Sequence, residues 1–353
     1  MRKTAIFRSD LFLLHDPGQN HPERIERLRV IYNVLDRPEI AEKFVFPSFR
    51  PAELEEISRN HDRALVGRVE ETAGKNFDFL DQDTATSAKS FEAACSAAGA
   101  VITGVDLLMS GEIDNGFALV RPPGHHAERD RSMGFCLFNN IAVAALHAVK
   151  QHGLKRVMIV DWDLHHGNGT QFSFYDSEEV LYCSTHQYPY YPGTGSLEEV
   201  GTGKGEGYTI NVPLPGGFGD QDYAAIFNDI IIPVGRDYKP EIVLVSAGFD
   251  IYQGDPLGSM AVSPAGFAYM TRTLQQLAEE VCEGRHLMTL EGGYNLKGQR
   301  DGGIAVLSEL LGEALAEDEY YLSDEEYRKF CDAHLTHDAI EQACQVAKRY
   351  WKM

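Results

Sequence analysis

Five short apolar runs recur through the middle of the chain, and each is followed by a cluster of polar residues and glycines. The runs are residues 117–120, 157–160, 180–183, 242–245 and 287–290. Short continuous apolar runs are typical of strands that are buried on both faces of a parallel sheet. In such sheets ligands bind outside the carboxyl ends of the strands, so the pattern predicts that the polar clusters form one site.

Helical patterns separate several of these runs. Residues 139–151 are rich in alanine and precede Gly153, which is a typical helix stop, and residues 264–283 follow Ser263, a typical N-cap. Further helical segments are predicted at residues 21–30 (the start of a surface helix), 83–100 and 338–351. The alternation of strands and helices predicts an α/β fold with a central, mostly parallel sheet and helices on both faces.

No break in composition marks a second domain, so the chain of 353 residues is predicted to be a single catalytic domain, 1–353, that ends in a helical segment, 317–353. Residues 187–219 contain many Gly, Pro and Tyr residues and predict long active-site loops. The acidic run at residues 317–326 predicts a solvated face.

The composition narrows the possible partners. A formal net charge of −21 argues against direct binding to nucleic acid or to an anionic membrane, and it would suit a cationic peptide or amine. Six scattered cysteines without a CxxC pair predict buried free thiols in a reducing compartment. The N-terminus has no signal-peptide core, and no uncharged apolar stretch approaches the ~20 residues that span a bilayer. A cytoplasmic location is therefore expected, and a homo-oligomer is left open.

Acidic residues and a histidine follow the run at residues 157–160. Asp161, Asp163 and His165 are spaced i, i+2, i+4, so their side chains share one face if the chain is extended. They could supply two or three metal ligands, and Asp250, at the end of another predicted strand, could complete the set. Such a site leaves a coordination position for water, which is the catalytic pattern.

Two further motifs could supply catalytic groups. In His125-His126 one imidazole can act as general base while the other orients the first or stabilises charge, and Asp161 is a plausible partner for one of them. Tyr294 follows two glycines, and its hydroxyl could donate to a carbonyl oxygen as negative charge develops there.

The motifs PPGHHA, GFCLFNN, DWDLHHGNG, YPGTG, SAGFDIYQGDPLG and LEGGYN resemble, in order and spacing, the zinc-dependent histone deacetylase family. They are most similar to its class II members and the bacterial deacetylase-like amidohydrolases. The resemblance spans residues 15–295. It implies an arginase-like α/β fold and hydrolysis of the amide of an acyl-lysine in a protein or peptide.

The resemblance also implies roles for individual residues. Asp163, His165 and Asp250 would hold one zinc ion, whereas Asp161 would lie behind His125 and not on the metal. His126 would be the general base and then the acid, with His125 as electrostatic support, and Tyr294 would polarise the scissile carbonyl. The remaining assignments are Phe135, Tyr191, Gly134 and Gly293 around the lysine tunnel, Arg27 near the acetate pocket, and the main-chain carbonyls of Asp161, Asp163 and His165 with Ser184 and Thr185 at a potassium site.

Several positions depart from other branches of the family. Asn168 stands where class I members carry an acid, so His126 would have a neutral partner and a lower pKa. Tyr294 stands where weakly active class IIa enzymes have histidine, and Tyr191 replaces the more usual Phe. Leu257 occupies the position at which polyamine-specific relatives place a glutamate, which favours an acyl-lysine peptide as substrate.

Three alternatives remain. A binuclear manganese ureohydrolase of the same fold would need an aspartate two residues after Asp250, where this chain has Tyr252. An acetylpolyamine or other small-amide hydrolase is disfavoured by Leu257, although the net negative charge suits it equally well. A non-catalytic acyl-lysine binding module would be favoured if Tyr294 or either tandem histidine were missing, and none is.

Overall fold

Seven parallel strands form the central sheet in the computed structural model, which describes residues 2–316 and 319–353. The nine strands of the described residues are β1 (Thr4–Phe7), β2 (Asp78–Asp81), β3 (Thr84–Thr86), β4 (Asn115–Ala118), β5 (Val157–Asp161), β6 (Val180–Gln187), β7 (Thr209–Leu214), β8 (Ile242–Ala247) and β9 (His286–Leu290). The order across the sheet is β1-β4-β9-β8-β5-β6-β7, and β2 and β3 form a separate antiparallel pair. The predicted parallel α/β fold is confirmed.

All five apolar runs fall on strands, although β4 ends at Ala118 within the run at residues 117–120, and the structure adds two strands to the predicted sheet. β1 and β7 form its edges, and β7 lies inside residues 187–219, the segment predicted to include long active-site loops. The strand Thr209–Leu214 was not predicted because its sequence, TINVPL, mixes polar residues and proline with the apolar ones. β1 is only four residues long, which is too short for a clear periodic signal.

Helices occupy most of the chain between the strands. The α-helices of the described residues are α1 (Glu26–Leu35), α2 (Pro38–Ala41), α3 (Leu54–Ile57), α4 (Arg63–Glu70), α5 (Ser90–Ser110), α6 (Asn140–His152), α7 (Asn168–Phe174), α8 (Asp220–Ile226), α9 (Ile232–Tyr238), α10 (Pro264–Cys282), α11 (Leu296–Leu311), α12 (Asp324–Cys331) and α13 (Asp338–Ala347). A π-helical turn, Phe227–Ile231, joins α8 to α9, and Asp10–Leu14 and Gly203–Gly205 are 3₁₀ turns.

The predicted helix ends agree with the structure at the positions where the sequence has a capping residue. The Ser263 hydroxyl accepts a hydrogen bond from the backbone N–H of Ala265, and Gly153 ends α6 with φ 71°. The helix expected at residues 83–100 starts later, at Ser90, because Thr84–Thr86 pairs with β2 instead. The helix expected at the surface near residues 21–30 is α1, and its Arg27 is fully buried.

The last part of the chain agrees with a helical C-terminal segment. Residues 317 and 318, which open the predicted acidic run, lie outside the described residues. The acidic residues 324–326 are exposed as expected, and α12 begins with them. The six cysteines are free, and all are buried except Cys331, which is exposed against expectation.

Two groups of helices cover the sheet. α5 and α6 pack against each other and against β4, β9, β8 and β5, whereas α10 and α11 pack against each other and against β4, β9 and β8. α5 is long and apolar enough to meet the criterion for a membrane-spanning helix, but 72% of its most apolar window is buried. Burial of that kind is typical of a core helix in an α/β layer.

Candidate active site

The polar clusters meet because four neighbouring strands end side by side. β4, β9, β8 and β5 are adjacent in the sheet, and the register pairs Ala118 with Thr289, Ala247 with Leu290 and Asp161 with Ser246. In a parallel sheet this register brings the following loops together at one edge. The tandem histidines follow β4, and Tyr294 follows β9. Asp250 follows β8, and Asp163 and His165 follow β5.

Three side chains at this edge converge as metal ligands do. His165 Nδ1 lies 3.3 Å from Asp163 Oδ1 and 3.1 Å from Asp250 Oδ2, and one ligand atom from each residue lies within 4.8 Å of the others. A Cβ at Gly292 would come within 2.3 Å of Asp250 Oδ2, and a Cβ at Gly248 within 2.1 Å of Asp163 Oδ2. At both positions the backbone lies so close to the carboxylates that only glycine fits. Two carboxylates and one imidazole form a ligand set that fits a zinc ion.

The electrostatics of the three residues also favour a cation. Burial, and then the charge of Asp163, raise the pKa of Asp250 to about 7. Burial disfavours the charged form of His165, but its contacts with Asp163 and Asp250 outweigh that effect and raise its pKa to about 9. Closely spaced buried carboxylates are costly without a counter-charge, and a bound dication would supply it.

Asp161 does not join this group. Its Oδ2 lies 3.1 Å from His125 Nδ1 and accepts a hydrogen bond of 2.9 Å from the Tyr182 hydroxyl. The opposite nitrogen of His125, Nε2, lies 3.7 Å from Asp163 Oδ1. Burial lowers the pKa of His125, but Asp163 and Asp161 overcome that effect and raise it to about 10. The two carboxylates therefore favour the charged form of His125 beside the candidate metal ligands.

His126 lies in a different environment from its neighbour. Its Nδ1 lies 2.8 Å from Oδ1 of Asn168, and the Asn168 amide nitrogen donates to Glu128 Oε1 at 2.6 Å. This arrangement makes Nδ1 the protonated nitrogen of His126 and leaves Nε2 as the free base. Burial, together with the nearby His125 and His165, holds the pKa of His126 well below its usual value.

Tyr294 reaches the same centre from the loop after β9. Its backbone N–H donates to Asp255 Oδ2 at 2.7 Å, and the guanidinium of Arg27 lies 4.9 Å from the centre of its ring. Burial raises the pKa of Tyr294 well above its usual value, although Arg27 opposes the shift. The hydroxyl therefore stays protonated and can act as a donor.

Arg27 lies behind Tyr294, within a buried group of charges. It donates to the Glu23 carboxylate at 2.7 Å and to the main-chain carbonyls of Gly293 and Glu291. Arg121 pairs with the same Glu23 carboxylate at 2.5 and 2.7 Å. Gly293, which is predicted to line the tunnel, accepts a hydrogen bond from Arg27 Nε through its carbonyl.

A narrow cavity of about 130 Å³ leads to these groups. Its lining residues are Asp83, His126, Gly134, Phe135, His165, Tyr191, Leu257 and Tyr294. These include Gly134, Phe135 and Tyr191, three of the four residues predicted for the tunnel, and Leu257, the predicted specificity position. Gly134 and Phe135 both adopt left-handed backbone conformations, with φ 58° and 69°, and this turn directs the Phe135 ring beside Tyr294, with their centres 6.0 Å apart.

Two acidic residues of the site were missed by sequence reasoning. Asp83 lies in the β2–β3 turn and accepts from the backbone N–H of Gly134 at 3.0 Å, so it reaches the cavity mouth. Glu291 accepts from the backbone N–H groups of Gly124 and His125 at 2.7 and 3.1 Å and from the Ser246 hydroxyl. It therefore fixes the loop that carries the tandem histidines, and burial raises its pKa to about 7.

The residues predicted for a potassium site lie below the candidate metal ligands. Asp161 Oδ1 accepts from the backbone N–H of Asp163 at 3.1 Å, and β6 brings Ser184 opposite Asp161. The Ser184 hydroxyl contacts His186, and the buried Thr185 hydroxyl faces the buried Tyr223 hydroxyl. Buried side-chain oxygens of this kind fit an ion or water at this position.

Comparison with known proteins identifies the family. The model of the histone deacetylase domain matches residues 21–310. A probable deacetylase of Archaeoglobus fulgidus is 40% identical over 99% of both chains. The crystal structure of the HDA15 HD domain superposes with a TM-score of 0.88 at 38% identity, covering 99% of this chain and 95% of the other. The human polyamine deacetylase HDAC10 is 40% identical over 89% of this chain and 48% of its own length.

Proposed function

The chain belongs to the histone deacetylase family and is a deacetylase, and on this premise we propose that it is a zinc-dependent hydrolase of acyl-lysine. Its substrate would be the side-chain amide of an acetylated, or otherwise acylated, lysine in a protein or peptide. One observation carries the proposal. His126, His165 and Tyr294 line a single narrow cavity, Asp163 and Asp250 converge on His165, and the centre of the His125 ring lies 4.0 Å from that of His126.

Asp163, His165 and Asp250 would hold the zinc ion. When bound, zinc supplies a Lewis acid that makes a water molecule more acidic and polarises a carbonyl group. Two carboxylates offset much of the charge of a dication, so other groups must contribute to catalysis. The tandem histidines and Tyr294 are the groups available for that contribution.

His126 would move the protons. Its Nε2 is the unprotonated nitrogen because Asn168 accepts from Nδ1 at 2.8 Å, so it can take a proton from the attacking water and then deliver it to the departing amine. His125, a cation between Asp161 and Asp163, would stabilise negative charge without transferring a proton. Tyr294 would donate its hydroxyl proton to the carbonyl oxygen as that oxygen becomes negative.

The cavity suits an unbranched apolar stem with a polar end. Phe135 and Tyr191 offer ring faces to its sides, and the Tyr191 and His126 rings meet edge to face with their centres 5.1 Å apart. Leu257 adds an apolar contact at the wall. The methylene groups of a lysine side chain would be buried against these residues while the peptide stays outside.

An acetylpolyamine is the second candidate substrate. The carboxylate of Asp83 lines the cavity, the net charge of the chain is −21, and a relative named polyamine deacetylase is 40% identical. Against this, Leu257 offers no charge to a second ammonium group. The acyl-lysine substrate therefore fits the wall of the cavity better.

A substrate panel with metal-stripped and zinc-reloaded protein tests the proposal. We expect no turnover without metal, and after zinc is restored a higher kcat/KM for acetyl-lysine peptides than for acetylspermidine. Peptides with longer acyl groups would report the depth of the cavity. Activity that survives removal of the metal, or a preference for acetylspermidine, would contradict the proposal.

Leu257→Glu should shift the substrate preference. A carboxylate at this half-buried wall position would attract the distal ammonium of an acetylpolyamine, so we expect kcat/KM for acetylspermidine to rise roughly tenfold relative to the acetyl-lysine peptide. Leu257→Gln, which has a similar shape without the charge, is the matched control and should give no such gain. An equal gain in both variants would show that size, and not charge, controls the preference.

Asn168→Asp should move the acidic limb of the pH–rate profile. A carboxylate beside Nδ1 stabilises the charged imidazole and raises the pKa of His126. Because catalysis needs the neutral base, activity would then be lost at a higher pH, and we expect the acidic limb of kcat/KM to shift upward by about one unit.

The control for this shift is a second substitution. Asn168 now donates to Glu128, and two carboxylates there would repel each other. Glu128→Gln combined with Asn168→Asp removes the repulsion, and the double variant should show the larger upward shift. If the acidic limb of the pH–rate profile does not shift in either variant, the result would contradict the role of His126 as general base.

Potassium binding by the main-chain carbonyls of Asp161, Asp163 and His165 with Ser184 and Thr185 is part of the same proposal. The burial of the Ser184 and Thr185 hydroxyls beside the end of β5 supports it. The cytoplasmic location, the homo-oligomer and the single-domain organisation stay predictions.

A further inference from the structure

A second convergent group of ligand atoms lies between two helices, away from the candidate active site. It consists of Asp106 on α5 with His147 and His152 on α6, and is called the Asp106 cluster below. Asp106 Oδ1 lies 2.6 Å from Nε2 of His147 and 2.7 Å from Nε2 of His152. The two imidazoles therefore point their Nε2 atoms at one carboxylate oxygen.

The geometry resembles that of Asp163, His165 and Asp250. In both groups one ligand atom from each residue lies within 4.8 Å of the others, and in the described residues these are the two groups with that property. Tetrahedral ligands bonded at ~2.0–2.1 Å lie roughly 3.3 Å apart, so the two contacts of 2.6 and 2.7 Å in the Asp106 cluster would need to lengthen by about 0.6–0.7 Å. Its members can make this adjustment, because the side chains of Asp106 and His152 are 44% and 24% exposed.

We propose that the Asp106 cluster binds a divalent transition metal ion, with Zn²⁺ as the best match. Two imidazoles and one carboxylate form a ligand set that suits zinc and excludes hard ions such as Ca²⁺ and Mg²⁺, which prefer oxygen ligands. The exposed side of the cluster leaves room for water as the remaining ligand.

Groups behind the cluster are suited to hold a ligating imidazole. His147 is buried, and its Nδ1 lies 3.8 Å from Glu56 Oε1 and 3.5 Å from the Arg59 guanidinium. Arg50 binds both oxygens of the Glu56 carboxylate at 2.7 Å. When Nε2 of His147 binds the ion, Nδ1 carries the proton and Glu56 Oε1 is the acceptor beside it, so the Arg59 guanidinium has to turn away from Nδ1.

The site would stabilise the helix pair and take no part in the hydrolytic reaction. α6 begins beside the active-site loop, where Asn139 caps the helix and its amide contacts Ala127 O and Thr170, whereas His152 is the last residue of α6. Thirteen helical residues span about 20 Å, so the Asp106 cluster lies at the opposite end of that helix. An ion there would join α5 to α6 and stabilise the folded state through its binding energy.

Zinc stoichiometry in the full-length protein tests this inference without reference to hydrolysis. Stripped protein is titrated with Zn²⁺ in competition with a chromophoric chelator. We expect two equivalents for the wild-type chain, one for His152→Gln and one for Asp163→Asn. His334→Gln is the matched control, because His334 also pairs with an aspartate, Asp229, but without a second imidazole, and it should retain two equivalents.

Thermal unfolding gives the second measurement. In the Asp163→Asn background excess Zn²⁺ should raise Tm, and adding His152→Gln should abolish that rise. Equal stoichiometry of wild type and His152→Gln, or loss of an equivalent in His334→Gln as well, would overturn the proposal. If Asp163→Asn does not fold, the comparison of wild type, His152→Gln and His334→Gln decides the question alone.

Discussion

Asp163→Ala and His165→Ala are each expected to lose zinc from the active site and deacetylase activity together. Asp163 supplies one of two carboxylates, and His165 the only imidazole, of the group that would hold the ion. Without either residue the two that remain cannot hold the dication in a fixed position, and water is no longer activated. Activity should fall to the background rate, which is the largest effect expected for any single substitution in this chain.

The measurement combines metal analysis with kinetics. Each variant is stripped, reloaded with one equivalent of Zn²⁺ and assayed on an acetyl-lysine peptide. Asp163 also accepts hydrogen bonds from the backbone N–H groups of His165 and Gly292, so circular dichroism must show that the variants are folded. His334→Ala, an exposed histidine remote from the strand ends, should keep both zinc and activity. A folded Asp163→Ala variant with normal turnover would refute the proposed metal site.

The sequence predicted the sheet because its strands are buried on both faces. Such strands are continuous apolar runs, and five of them were recognisable without any knowledge of the fold. Their parallel arrangement then required the loops after them to meet, which brought the tandem histidines to Asp163, His165 and Asp250. The edge strands β1 and β7 lacked this signal because they are short or contain polar residues.

Spacing could not decide which aspartates bind metal. Asp161, Asp163 and His165 share a face only while the chain is extended, and β5 ends at Asp161. Beyond that residue the backbone turns, so Asp161 faces His125 and Tyr182 while Asp163 faces His165. The family resemblance implied this division, whereas the i, i+2, i+4 pattern favoured neither outcome.

The missed residues act through contacts that are distant in sequence. Asp83 meets Gly134 across 51 residues, and Glu291 meets Gly124 across 167. The charged residues near α1 led to the prediction of a surface helix, because charged side chains are usually exposed. Glu23 and Arg27 are instead buried as partners, and Arg121 satisfies the same carboxylate. Local patterns contain no information about such pairing.

Tyr294→Phe is expected to slow turnover by a factor of about 10²–10³ while zinc and substrate binding stay close to wild type. The substitution keeps the ring that packs between Arg27 and Phe135 and leaves the backbone bond to Asp255 intact. It removes one hydroxyl, whose proton is retained because burial raises the pKa of Tyr294. A donor that acts only as the carbonyl oxygen becomes negative affects kcat and leaves KM nearly unchanged.

Tyr191→Phe is the control, because it removes the same hydroxyl group from a different position in the cavity. Tyr191 lines the same cavity and loses the same hydroxyl, but it lies towards the solvent, with 38% of its surface exposed. Its hydroxyl can contact water or the outer part of the substrate, so its removal should change kcat by less than about tenfold. The two variants are compared by steady-state kinetics on one acetyl-lysine peptide, and the zinc content of each variant is measured. If both variants lose the same factor, or if Tyr294→Phe keeps full kcat, then Tyr294 is not the group that stabilises the oxyanion.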